Sequence, residues 1–130
     1  MASIFTKIIA GEIPSYKIAE DERFYAFLDI FPVKKGHTLV VPKQEVDYFF
    51  DLDDALMADM VLFAKKVAMA IEKTIECERI GVAILGLEVR HAHIHLVPLD
   101  SKGIIDFRKP KKRFTKDEFE EIAAGIRSNF

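Results

Sequence analysis

The chain has 130 residues, half of them apolar and 31 % charged, with a net charge of −2, the make-up of one globular domain spanning residues 1–130 around one core. A charge so near zero gives no electrostatic reason to expect nucleic acid as a partner, and no apolar run approaches the ~20 residues that a membrane helix needs. The N-terminus lacks a signal peptide's apolar stretch, and one cysteine, Cys77, excludes an internal disulfide or a two-cysteine zinc site, so a soluble cytoplasmic protein is expected.

Residues 4–10 read as a short helix that ends at Gly11. Strand-like runs follow at 16–19 and 24–28, separated by the charged turn Glu20-Asp21-Glu22-Arg23. Asp29-Ile30-Phe31-Pro32 breaks the pattern, and Lys35-Gly36 marks a turn. A buried strand at 38–41 comes next, stopped by Pro42. Leu56, Met60, Phe63, Val67, Ile71 and Ile75 recur at spacings of three or four, the sign of a long helix with an apolar face. Asp53 and Asp54 lie near its start, where carboxylates complement the helix dipole. Cys77, near its end, reads as a small packed hydrophobe. Strands at 80–85 and 89–98 follow. Thr115-Lys116-Asp117-Glu118 matches a capping box at the head of a last helix, whose apolar face is Phe119, Ile122 and Ile126. The whole is an α+β fold: a five-stranded, mainly antiparallel sheet with one long helix, a short N-terminal helix and a C-terminal helix.

Three of the chain's four histidines, His91, His93 and His95, alternate along the strand-like run 89–98, and the fourth, His37, directly precedes another strand. In a strand, alternate side chains share a face, so the three imidazoles would form a row with steps of roughly 6.5–7 Å. Three readings are open. The row is an exposed strand face that happens to carry histidines. It is a metal site, which needs the rings tilted inward and His37 as a further ligand. Or one imidazole is a nucleophile, with its neighbours orienting it and stabilising charge.

The chain resembles the histidine triad family of nucleotide hydrolases and transferases. His91-Ala92-His93-Ile94-His95-Leu96-Val97-Pro98 carries the resemblance, with blocks at 3–14, 26–32 and 36–43 in the family's order. The resemblance covers roughly residues 3–100 and implies the α+β fold above, a homodimer meeting through the long helix and a strand, and a purine nucleotide as substrate. It implies His93 as the nucleophile forming a nucleotidyl-histidine intermediate. His95 would contact the phosphate and assist the leaving group, with His91 and His37 supporting. Asp29 falls at the position that binds ribose hydroxyls, which a carboxylate suits because it accepts from two at once. Ile4, Phe5, Ile8, Phe27 and Ile30 match positions that enclose the base; for Ile8 and Phe27 plain core packing is the competing reading. Candidate substrates are nucleoside phosphoramidates, aminoacyl-type adenylates and dinucleoside polyphosphates, cleaved with no cofactor and no metal in the covalent steps.

The chain also departs from the family. The connection before the histidines is short and lacks the usual Asn. Leu87 stands in place of Gln. Glu88 replaces a phosphate-contacting hydroxyl, and beside a phosphate it would repel by roughly 1 kcal/mol or more. Glu88 therefore either points away or faces an unusual substrate. This change motivates a second hypothesis, a nucleotide-binding or scaffolding protein with weak or lost catalysis. Ser3 and Thr6 stand where some bacterial members carry a cysteine pair for zinc, so that zinc is expected to be missing. Arg108-Lys109-Pro110-Lys111-Lys112-Arg113 reads first as a solvated loop. A sharper reading has Arg108, or Arg90 beside the triad, supplying the lost phosphate contacts.

Overall fold

Ser3 opens the first helix, its hydroxyl accepting from the Thr6 amide in a computed structural model that describes residues 2–101 and 105–130. That helix is α1 (Ile4–Ile9). The chain continues through β1 (Lys17–Glu20), β2 (Phe24–Leu28), β3 (Thr38–Pro42), a 3₁₀ turn at Phe49–Asp51, α2 (Asp54–Thr74), β4 (Arg79–Ala83), β5 (Ile94–Leu99) and α3 (Lys116–Ser128). The five strands form one antiparallel sheet in the order β1-β2-β3-β5-β4. The expected α+β architecture is present.

Side-chain alternation divides the sheet into two faces. Phe24, Ala26, Leu28, Val40, Ile94 and Leu96 point to the face covered by α2 and α3. Tyr25, Phe27, Leu39 and Val41 point to the other, where Phe5 and Ile8 of α1 pack. Both faces are covered, so β2 and β3 are buried at every position and read as continuous apolar runs. Asp53 caps α2 by accepting from the Leu56 amide at 2.8 Å, a role more specific than dipole compensation. The face of α2 that meets the sheet includes Met60, Val67 and Ile71, all fully buried; each contributes about 1.5–3 kcal/mol of burial energy. The capping box at Thr115 forms as its residues imply, with both reciprocal bonds made.

The boundaries differ from expectation in one informative place. The histidine strand starts at Ile94, not Val89, so His91 and His93 lie in the extended approach to β5 rather than in the ladder. The cause is a competing bond, because the Ala92 amide donates to the Val46 carbonyl at 2.7 Å. β4 correspondingly ends at Ala83, opposite His95, and releases Ile84 and Leu85 from the sheet. Cys77 lies just past α2 in the connection to β4, half-buried, with burial pushing its thiol pKa up. Among the described residues no helix is long and apolar enough to cross a membrane.

Candidate functional site

A cavity of about 440 Å³ opens on the α1 face, within the size range of small-ligand sites. Ile4, Phe5, Ile8, Phe27 and Ile30 all line it, with Asp29, Glu88, His93 and His95. Phe5 and Ile8 are buried, whereas Ile4 and Ile30 are exposed at the rim. Packing and lining are thus one role for Ile8 and Phe27: their inner sides fill the core below α1 and their outer sides wall the cavity. His37 and His91 are buried behind His95 and His93 and do not line it.

The turn that delivers His37 depends on Gly36. Its φ of +88° is costly for a residue with a Cβ, and an added Cβ would meet Ile75 Cγ1 at 2.9 Å. His37 then sits across the β3–β5 pairing from the triad, and two chains of hydrogen bonds assign the imidazole protons. The Val33 amide donates to His37 Nδ1 at 3.1 Å, so the neutral ring carries its proton on Nε2. That nitrogen lies 2.9 Å from His95 Nδ1 and donates to it, which leaves His95 with its proton on Nε2. In the other chain, His93 Nδ1 donates to the His91 carbonyl at 2.6 Å, because a carbonyl only accepts. His93 Nε2 is left with a free lone pair. The site pairs a bare nitrogen with a neighbouring N–H donor, and their rings are 4.8 Å apart. That is closer than the step along a flat strand, because only His95 stands on regular strand backbone and the rings tilt together.

The neutral state that this network requires is favoured by burial. Burial pushes His37 down to about 4, assisted by the positive charge of Lys111. It pushes His95 down to about 3, with further lowering by His93 and His37. Burial also lowers His93, against the raising effect of its bond to the His91 carbonyl. Asp29 approaches this network with Oδ2 at 3.6 Å from His37 Nε2 and with Oδ1 accepting from the Phe31 amide.

His91 is clamped rather than free. Its Nε2 donates to the Pro42 carbonyl at 2.8 Å, and the Ser3 hydroxyl donates to its Nδ1 at 2.7 Å. Glu45 accepts from the Ser3 amide and the Thr6 hydroxyl, and these bonds hold its carboxyl below the usual range. Phe5 lies edge-on to both His91 and His93. Ser3, Thr6, Glu45 and His91 thus offer two hydroxyls, a carboxylate and an imidazole. Hydroxyls are not among the ligands of structural zinc, so this quartet does not fit that ion. A centre made of His91, His93 and His95 does not form either, since both His91 nitrogens and His93 Nδ1 are engaged elsewhere. Among the described residues, only Asp29, His37 and His95 bring ligand atoms within 4.8 Å of one another. An ion there would have to displace the His37–His95 hydrogen bond.

Phe107 and Lys111 are among the lining residues that were not foreseen. Phe107 stacks edge-on to His95, with ring centroids 4.8 Å apart, and Lys111 lines the cavity. Arg108, proposed from sequence as a phosphate contact, instead pairs with Asp106, its side chain 91 % exposed. Arg90 lines a second, smaller hollow, together with Tyr48, and this hollow shares Leu85, Gly86, Leu87 and His93 with the cavity. Glu88 is exposed at the cavity wall.

A model of the HIT domain family matches residues 10–102. The protein Hit of Bacillus subtilis is 44 % identical over 107 residues, which cover 77 % of this chain and 72 % of that one. An adenosine 5'-monophosphoramidase of Saccharomyces cerevisiae is 41 % identical over 98 residues, covering 75 % of this chain and 62 % of the yeast protein. Among solved structures, a Hit-like protein of Bartonella henselae superposes with a TM-score of 0.88 at 31 % identity, over 98 % of this chain and 96 % of its own.

Proposed function

This chain belongs to the HIT family, and on that footing we propose that it cleaves nucleoside phosphoramidates at the α-phosphorus through a nucleotidyl intermediate on His93. The observation that carries the reading is the proton arrangement of the two cavity histidines. His93 Nε2 is the unprotonated nitrogen at the cavity, and His95 Nε2–H is the donor beside it. In the first step His93 Nε2 bonds to phosphorus, and the bond from phosphorus to the leaving nitrogen breaks with its electron pair, the nitrogen taking the proton of His95 Nε2 and departing as the amine. Before that transfer the N–H of His95 donates to a phosphoryl oxygen as charge builds. Water then attacks phosphorus, its proton passing to His95 Nε2, and the bond from phosphorus to His93 Nε2 breaks, releasing the nucleoside monophosphate and restoring both rings. Asp29 accepts from the ribose hydroxyls, and Ile4, Phe5, Ile8, Phe27 and Ile30 hold the purine. The likeness to a yeast adenosine 5'-monophosphoramidase supports the choice of an amine leaving group.

Incubation with adenosine 5'-phosphoramidate is expected to release AMP. Rapid acid quench and mass spectrometry should find the nucleotidyl group on the peptide that contains His93. AMP release with no adduct on any histidine would overturn the covalent route, and no AMP release would overturn the reaction.

A homodimer is part of the proposal. It is supported by β4, an edge strand whose Val82 is 61 % exposed, and by Val61, Leu62 and Met69 on the outward face of α2. Wild-type protein is expected to sediment at twice its 14.8 kDa chain mass. Met69→Glu combined with Val82→Lys should give a folded monomer. A monomeric wild type would refute this interface.

A further inference from the structure

We infer that Lys111 is the cation that binds the substrate's phosphoryl oxygens, carried to the histidines by the segment that joins β5 to α3. The inference rests on the nucleotide reading above and assigns it a residue. Among the described residues lining the cavity, the side chains of fixed charge are Asp29, Glu88 and Lys111. Two carboxylates face one ammonium. A nucleotide brings its own negative charge into this setting, and among the described lining residues the fixed opposite charge is on Lys111.

The position is built into the fold. Lys111 Nζ donates to the Phe107 carbonyl and lies 5.4 Å from the centre of the Phe107 ring. That ring packs against His95 at 4.8 Å and His37 at 6.0 Å. The neighbouring Lys112 amide donates to the Pro32 carbonyl at 2.8 Å, which ties the segment to the loop that follows Asp29. An ammonium has three donors, and one is used by the Phe107 carbonyl, so two remain for phosphoryl oxygens. The rest of the basic run is turned outward: Lys109, Lys112 and Arg113 are exposed and Arg108 is held by Asp106. Lys111 also accounts for how the site can accept Glu88 where a hydroxyl would be expected. Its charge offsets a carboxylate that a phosphate alone would meet as repulsion.

The test compares AMP with adenosine by titration calorimetry on the wild type, Lys111→Met and Lys111→Arg. Methionine keeps an unbranched stem and removes the charge. The expected result is a loss of about tenfold or more in AMP affinity for Lys111→Met, with adenosine affinity within twofold of wild type. Lys111→Arg should bind AMP within threefold of wild type. Unchanged AMP binding by Lys111→Met would overturn the assignment, as would an equal loss for AMP and adenosine, which marks a packing role. Wild-type protein that binds adenosine but not AMP refutes the assignment alone. Wild-type protein that binds neither refutes the nucleotide reading and this inference with it.

Discussion

Replacing His93 with alanine is expected to lower kcat for adenosine 5'-phosphoramidate by about 10³-fold or more. AMP binding should stay within about threefold of wild type, because base and ribose are held by other residues. The reasoning turns on which nitrogen is free. His91 has both nitrogens bonded, to Ser3 and to Pro42. His37 has both bonded, to the Val33 amide and to His95. His95 presents a proton. Only His93 presents a lone pair to the cavity, so no neighbour stands ready to replace it. His91→Ala should cost less, since the His91 carbonyl that orients His93 belongs to the backbone and survives the substitution. Steady-state kinetics with circular dichroism as a check on folding decides the matter. A His93→Ala variant that keeps a tenth of wild-type kcat would show that another group attacks.

Local pattern carried far for elements whose partners are close in sequence. The α2 stripe, the Thr115 capping box and the β2–β3 hairpin follow from spacing and side-chain type, and the structure places them within a residue or two. The site was legible for a different reason. The alternation of histidines, the Asp29 break and the apolar N-terminal block are compact motifs, and the cavity brings Asp29, His93, His95, Phe5 and Phe27 together. What stayed hidden depends on contacts between distant segments. Nothing near His91 signals that Ala92 will bond to Val46 and hold two histidines out of the ladder. The Ser3–Glu45–His91 clamp joins three separate segments. Lys111 looks like any member of a solvated basic run until the path of the chain after β5 is known. The run contains five cations, and composition cannot say which one turns inward.

The same proton arrangement makes the fold sensitive to mild acid. In the unfolded chain each histidine titrates near its ordinary value of 6.5, whereas in the folded site His37 is held down to about 4 and His95 to about 3. Above pH 6.5 these rings are neutral in both states and contribute no pH dependence. Below it the unfolded chain takes up protons that the folded site refuses, so stability falls as pH falls. The loss from His37 levels off near pH 4 and that from His95 near pH 3. By pH 5 each ring costs roughly 2 kcal/mol of folding stability relative to pH 7.5, and the lowered His93 adds to the loss in the same direction. Urea unfolding at pH 7.5 and 5.0 is expected to show a clear drop in midpoint. The variant His37→Asn, weaker at neutral pH, should show a smaller drop, because it has one fewer proton to refuse. The interval stays mostly above the carboxylate range, so the change in drop on removing His37 isolates the imidazole contribution. Equal drops for wild type and His37→Asn would mean that His37 protonates freely in the fold. The Val33–His37–His95 relay would then not fix the proton on His95 Nε2, and the donor role of His95 would lose its basis.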